Sequence, residues 1–277
     1  MSYLLNIHGK LIDLSVPKVM GILNVTPDSF FTESRTSTQS SIESRVGRLL
    51  SEGADIIDIG GCSTRPGIVP TSEEEEMSRL RLALDVILKL APDAVVSVDT
   101  FRSDVAKMCV EEYGVSIVND VSGGDGDELM YSTVSRLGVP YVLTHCDWLN
   151  HLSGKPSSFN MDSLSLFFSD RIQRLRDLGQ KDILLDPGFG FSKNIDANYA
   201  LAAEIERLKL HDLPILIGIS RKRMIYQLLD TTAEYALNGS TVLHTYFLLK
   251  GCANILRVHD IKACCEAIKI VSSIIRH

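Results

Sequence analysis

Arg257 and His259 stand two residues apart at the end of the apolar run Ile255-Leu256-Arg257-Val258-His259, so in a strand they project to the same side. A guanidinium fork beside an imidazole suits phosphate oxygens: the Arg supplies paired donors and the His a hydrogen bond or partial charge. Asn24, at the end of an earlier apolar run, offers a neutral oxygen for Mg2+, a hard cation normally shared with substrate phosphates. Without Asn24, an Arg paired to Asp260 beside a structural His explains the pattern equally well. With Asn24 an anion site is favoured.

Asp99, Asn119 and Asp186 form a second set. A carboxylate accepts two parallel N–H bonds from an amidine-like edge and an Asn reads an adjacent donor–acceptor pair, so the three suit a flat, nitrogen-rich ring. A metal site is the rival, although no His joins them at ligand spacing. Asp58 reads as a structural residue of the interior. Ser220-Arg221-Lys222 places an amine where it could bridge two substrates or stabilise developing negative charge, while the tripeptide alone is equally a helix start. Asp186-Pro187-Gly188-Phe189-Gly190-Phe191 is a glycine-rich turn with two rings, fit for an aromatic substrate or for loop packing.

What must position these groups is a repeated unit. Apolar runs at 19–25, 54–59, 95–98, 116–118, 141–143, 183–185, 214–219 and 255–258 are each followed by a helix-like stretch. The stretches cover about 40–51, 72–90, 103–113, 127–137, 163–178, 198–208, 238–250 and 261–274. Eight strand–helix units predict an α/β fold closed as a (β/α)8 TIM barrel, with chemistry at the carboxyl ends of its strands. Residues 1–18 alternate around His8-Gly9-Lys10 and predict a β-hairpin capping the barrel bottom, with 19–277 as the barrel and one domain overall. The long connections 27–39, 61–71 and 146–161 all follow strands on the same face and read as lids or binding segments.

The bulk properties narrow the function classes. At 277 residues the chain has the length of one such barrel, roughly 250 residues. A formal net charge of -7 without a Lys/Arg cluster argues against a nucleic-acid partner. The run Glu73–Glu76 reads as a solvated first helical turn that complements the helix dipole. The six cysteines show no zinc spacing and read as reduced, semi-buried small hydrophobes. With no signal pattern and no membrane-length apolar run, the chain is expected in the cytoplasm, away from membranes.

The strings around these residues are specific. Met20-Gly21-Ile22-Leu23-Asn24-Val25-Thr26-Pro27-Asp28-Ser29-Phe30 and Asp58-Ile59-Gly60-Gly61-Cys62-Ser63-Thr64-Arg65-Pro66-Gly67 resemble the first and second signatures of the dihydropteroate synthases. The resemblance continues in order through Ser97-Val98-Asp99-Thr100, Val118-Asn119-Asp120-Val121, the 184–191 turn, Ser220-Arg221-Lys222 and Arg257-Val258-His259-Asp260. It implies a transferase of folate biosynthesis joining 6-hydroxymethyl-7,8-dihydropterin diphosphate to 4-aminobenzoate. By position it implies Asn24 on Mg2+, and Arg257 and His259 on the diphosphate. Asp99, Asn119 and Asp186 would read the pterin, with Lys222 and Ser220 beside it, and Arg257 could also stack on that ring. Thr64, Arg65, Pro66, Phe30 and Phe191 would wall the aminobenzoate pocket, where sulfonamides compete. The family also implies a homodimer through the last helices.

Two loops depart from the family pattern. Phe31-Thr32-Glu33-Ser34 replaces Ser-Asp-Gly-Gly after Phe30, removing an Asp that can assist the metal. Thr144-His145-Cys146-Asp147-Trp148 replaces a Met-His-Met string, leaving the smaller, polar Thr144 where a Met commonly packs on the pterin. Cys62 stands where Glu is common, with little effect expected. His145 reads as a ring hydrogen-bonded at the barrel rim, and Trp148 as a packing residue before a cover for the site. The alternatives to an active synthase are a pterin-binding paralogue without turnover, which the altered loops would suit, and a pterin-dependent methyltransferase. The latter expects a corrinoid partner domain and gives Ser220-Arg221-Lys222 no role.

Overall fold

The computed structural model describes residues 3–26, 39–156 and 159–276. The chain opens with β1 (Leu4–Ile7) and β2 (Lys10–Asp13), then alternates β3 (Lys18–Asn24), α1 (Gln39–Glu52), β4 (Ile56–Gly60), α2 (Glu73–Leu90), β5 (Val95–Asp99) and α3 (Ser103–Tyr113). It continues through β6 (Ile117–Asp120), α4 (Met130–Leu137), β7 (Tyr141–Thr144), α5 (Trp148–Leu152), α6 (Met161–Asp177), β8 (Ile183–Asp186) and α7 (Ile195–Ala203). The last elements are β9 (Leu216–Ile217), α8 (Arg223–Leu228), α9 (Leu237–Leu249), β10 (Ile255–Val258) and α10 (Ile261–Ile275). β3 to β10 form one parallel sheet in the order β8-β7-β6-β5-β4-β3-β10-β9. A parallel bridge from Leu185 to Ile215 and a Leu185 N–H bond to Pro214 O at 2.9 Å bring its two edges together. The expected (β/α)8 barrel is the observed fold, with β1 and β2 paired antiparallel as the expected hairpin.

The side-chain period of two builds the interior in layers. Met20, Ile56, Ile117, Val142, Leu184, Leu216 and Ile255 form the lowest layer, and Leu5, Ile7 and Leu14 of the hairpin region pack against it. The intervening residues, such as Leu23, Ile57, Val98, Val118, Leu143 and Leu185, face the helices in the main core. Two residues further along the strands, Ile56 gives way to Asp58, Ile117 to Asn119, Val142 to Thr144, Leu184 to Asp186 and Ile255 to Arg257. The barrel is therefore apolar and plugged below, polar above.

Four sequence expectations need correction. Glu76 is not solvated: it is 0% exposed, accepts from Thr100 Oγ1 at 2.8 Å and pairs with Arg102. It falls four residues before Leu80 on the stripe that α2 buries, which its Glu neighbours do not share. The seventh barrel strand is regular only over Leu216–Ile217, because Pro214 has no N–H to donate. α4 starts at Met130, since Asp127 instead holds the N–H groups of Ser103 and Leu129 at 2.8 and 2.9 Å. The stretch expected as a helix over 198–208 is split, with α7 ending at Ala203 and a 3-10 helix running from Ile205 to His211. The short helix α5 has no counterpart in the sequence reading, whereas α8 agrees with Ser220-Arg221-Lys222 as a helix start. α8 begins just after Lys222, its N-terminal boundary residue.

Candidate active site

Two glycines open the upper wall. A Cβ at Gly60 would lie 3.3 Å from Asn24 Oδ1 and 3.8 Å from Asp99 Oδ2. A Cβ at Gly218 would lie 3.7 Å from Asp186 Oδ2, 3.9 Å from Lys222 Nζ and 4.0 Å from Arg257 Cβ. Asn24 and Asp99 thus converge at one point and Asp186, Lys222 and Arg257 at another, from strands far apart in sequence. Arg257 Nε donates to Asp58 Oδ2 at 2.6 Å and its Nη2 to Asp99 Oδ2 at 2.5 Å. Asn119 Nδ2 donates to Asp58 Oδ2 at 3.2 Å, while its Oδ1 is buried with no hydrogen-bond partner among the described residues. Asp58, wholly buried, is therefore the interior residue that orients Asn119 and Arg257.

The alternative pairing of Arg257 with Asp260 does not occur. Asp260 instead takes two bonds from Arg221, both at 2.8 Å. Ser220 Oγ accepts the His259 backbone N–H at 3.2 Å and lies 3.2 Å from His259 Nδ1, so the seventh and eighth strand ends are tied together. Asp186 accepts the Gly188 N–H at 2.7 Å. Lys222 donates to Phe189 O, and its Nζ lies 4.4 Å from the centre of the Phe191 ring. Gly190, at φ 81°, lets the turn approach Lys222: a Cβ there would lie 3.0 Å from Lys222 Cδ in a backbone region that side chains avoid. The turn is held by a residue that sequence reasoning missed: buried Lys193, whose Nζ donates to the carbonyls of His145, Gly188 and Phe191 at 3.1, 3.0 and 3.3 Å.

Burial tunes these groups. It lifts the Asp99 carboxyl to about 7, against the pull of Arg257. It raises Asp186, against Lys222, and lowers Lys222 to about 8, against Asp186. Burial opposes the charge on Arg257, but Asp58 and Asp99 together hold it above its usual range. His259 is pushed down to about 3 by burial and then by Arg257, so before an anion arrives it is neutral, which favours the hydrogen bond over the partial charge among the two roles expected of it.

The loops complete the site. Thr64 and Arg65 are half-buried and Pro66 is exposed, in the turn after β4. Arg79 bonds Gly61 O at 3.0 Å, Arg102 bonds Thr71 O at 2.6 Å and His151 lies 2.7 Å from Thr64 O. Phe191 is half-buried, while Phe189 is buried against Phe247 and belongs to the core. Phe30 and the altered 31–34 segment lie outside the described residues. Trp148 is buried, with its ring centre 5.0 Å from that of Phe101, which agrees with a packing role. The rim hydrogen bond expected for His145 is absent at Nδ1, which has no partner among the described residues; the ring instead meets Phe167 edge-on at 4.9 Å. Burial lowers His145 to about 2.

No cluster of three or more His, Cys, Asp or Glu side chains among the described residues forms a metal cage. Asn24 nevertheless fits Mg2+, because this ion keeps most of its shell as water and substrate phosphate oxygens and needs few protein ligands. The bare Gly60 beside Asn24 leaves room for them.

Residues 20–259 match the family described as pterin binding enzyme. The chain is 34% identical to dihydropteroate synthase of Escherichia coli strain K12 over 276 residues, covering 96% of this chain and 94% of that one. The chain belongs to the dihydropteroate synthase family. It is a transferase of folate biosynthesis. Structures agree: a Yersinia pestis dihydropteroate synthase in complex with a sulfonamide drug superposes with a TM-score of 0.91 at 35% identity, over 99% of both chains. A Xanthomonas albilineans dihydropteroate synthase with 4-aminobenzoic acid gives 0.89 at 33% identity, over 100% of both. These relatives favour synthase function over a paralogue without turnover.

Sequence reasoning missed Glu76, Arg102, His151 and Lys193 as supports of the site. The one available signal was for Glu76, whose helical phase matches Leu80 and Leu84.

Proposed function

We propose that the chain condenses 6-hydroxymethyl-7,8-dihydropterin diphosphate with 4-aminobenzoate, releasing 7,8-dihydropteroate and diphosphate. The observation that carries this is the convergence of Asp99, Asn119, Asp186, Lys222 and Arg257 in the polar upper layer of the barrel. Asp99, Asp186 and the unpartnered Asn119 Oδ1 present acceptors to the donor-rich edge of a pterin, and Lys222 a donor. Arg257 retains N–H donors beyond the two given to Asp58 and Asp99, and with His259 would hold the diphosphate.

Breaking the C–O bond of the pterin methylene sends the electron pair to the diphosphate and leaves a cationic carbon, which the Asp99 carboxylate stabilises. The aniline nitrogen then forms the new C–N bond and loses a proton to solvent, so the enzyme needs no nucleophile of its own. Asn24 would hold Mg2+, which would supply charge neutralisation for the leaving group. Thr64, Arg65, Pro66, Phe191 and Phe30 would wall the aminobenzoate pocket, which we propose also admits sulfonamides.

Support for a homodimer lies in Val242, Leu249, Ile270 and Ile274, exposed apolar residues on the mutually packed α9 and α10. Support for a cytoplasmic setting lies in six unbridged cysteines, as a reducing compartment keeps them. No helix among the described residues is long and apolar enough to cross a membrane.

The deciding experiment measures diphosphate release from the pterin diphosphate with Mg2+, with and without 4-aminobenzoate. Release that needs the aminobenzoate, with dihydropteroate formed in step, is the expected result. Pterin binding without release would overturn the proposal.

A further inference from the structure

The geometry points to His151 as a positioning residue that sets the aminobenzoate pocket by joining its walls from the turns after β4 and β8, an inference that rests on the synthase reading above. His151 lies in α5, within the loop that departs most from the family pattern, and is 4% exposed. Its Nε2 is 2.7 Å from Thr64 O, and since a carbonyl only accepts, Nε2 carries the proton and donates. The same ring meets Phe191 in a T-shaped contact at 5.1 Å and stacks on Trp148 at 6.0 Å, with Trp148 anchored on Phe101. One imidazole therefore contacts Thr64 on one wall and Phe191 on the other, from a third loop held by an aromatic anchor. Phe191 also carries the Lys222 ammonium over its ring, so the placement of Phe191 bears on the group beside the pterin.

The arrangement has a cost that a space-filling residue would avoid. With Nε2 donating, Nδ1 is left as a bare acceptor, buried and without a partner among the described residues. An unpaired buried acceptor is unfavourable, so an apolar ring would pack more comfortably in this place. What an apolar ring cannot do is hold Thr64. A second tie between the same loops, Gly67 N–H to Leu152 O at 3.2 Å, joins backbone to backbone and fixes neither Thr64 nor Phe191.

The test compares two full-length variants. His151→Phe keeps the ring contacts and removes the donor, whereas His151→Gln keeps an N–H of similar reach and removes the ring. The readouts are kcat, the KM of each substrate and Tm. We expect His151→Phe to raise the KM for 4-aminobenzoate about tenfold, the size of one lost hydrogen bond, with Tm and the KM for the pterin diphosphate unchanged. His151→Gln should recover part of that loss. An unchanged aminobenzoate KM in His151→Phe overturns the role. So does a parallel shift of both KM values with a falling Tm, which marks a merely structural residue. Should His151→Phe fail to fold, His151→Gln carries the test: a selective rise in aminobenzoate KM supports the role and a uniform shift overturns it. A wild-type chain that releases no diphosphate in response to 4-aminobenzoate sinks the synthase reading and this role with it, whereas active wild type with indifferent variants sinks this role alone.

Discussion

The Arg257 guanidinium lies 2.5 Å from the Asp99 carboxylate, so β10 and β5, with β3 and β4 between them, are joined by one ion pair over the barrel axis. The pair places a fixed cation beside the carboxylate that we propose stabilises a developing positive centre. It also leaves the site dependent on Asp58, which holds the other side of the same guanidinium.

Asp58→Ala should therefore be costly. Its side chain is wholly buried and that of Arg257 is mostly so. Removing it leaves Arg257 with Asp99 alone and takes the acceptor from Asn119 Nδ2, at a cost on the order of 3–5 kcal/mol read from the urea unfolding midpoint. A loss below about 1 kcal/mol would show that Asp99 alone can hold Arg257.

Lys222→Ala should keep the circular dichroism spectrum of the parent and lose dihydropteroate formation by about a hundredfold to a thousandfold, the usual effect of deleting a preorganised donor. Near-normal turnover would remove Lys222 from the proposed machinery.

The pH dependence follows from two shifted groups. Asp99, lifted to about 7, must be deprotonated, so kcat/KM should rise as pH climbs through that value. Lys222, lowered to about 8, must be protonated, so kcat/KM should fall as pH passes it. The outcome is a narrow bell, and residual activity in Lys222→Arg should lack the alkaline limb because guanidinium does not titrate there. A flat profile between the two values and well beyond them would contradict both assignments.

Asn24→Ala should raise the Mg2+ concentration needed for half-maximal activity while leaving the saturated fold unchanged. If wild type and variant follow one magnesium titration curve, Asn24 is not a ligand.

Thr144→Val removes a hydroxyl that is wholly buried and has no hydrogen-bond partner among the described residues. The shape is preserved and the desolvated oxygen is gone, so stability should hold or rise by about 1 kcal/mol in the same urea assay. A clear destabilisation would mean that the hydroxyl is already satisfied in the free protein.

The barrel was legible because its causes are local. Apolar runs, helical periods and the hairpin turn at His8-Gly9 repeat within a few residues of one another, and the strand ends carried Asn24, Asp99, Asn119, Asp186 and Arg257 in plain view. The apolar run 214–219 overstates its strand, because such a run does not report how much of it can join a ladder.

The amino-acid sequence by itself determined the fold class, the end of the barrel that carries chemistry and the residue types gathered there. Only the tertiary structure decided their partners: that Arg257 holds Asp58 and Asp99 while Arg221 takes Asp260, that Glu76 alone of its run is buried, and that His151 binds Thr64. The physical reason is that such contacts arise when the chain packs into a closed barrel, which brings residues as far apart as Asp58 and Arg257, 199 positions, within hydrogen-bond distance. Burial, equally a product of closure, then moved Asp99 toward 7 and Lys222 toward 8, and no local pattern encodes how much water a side chain will lose.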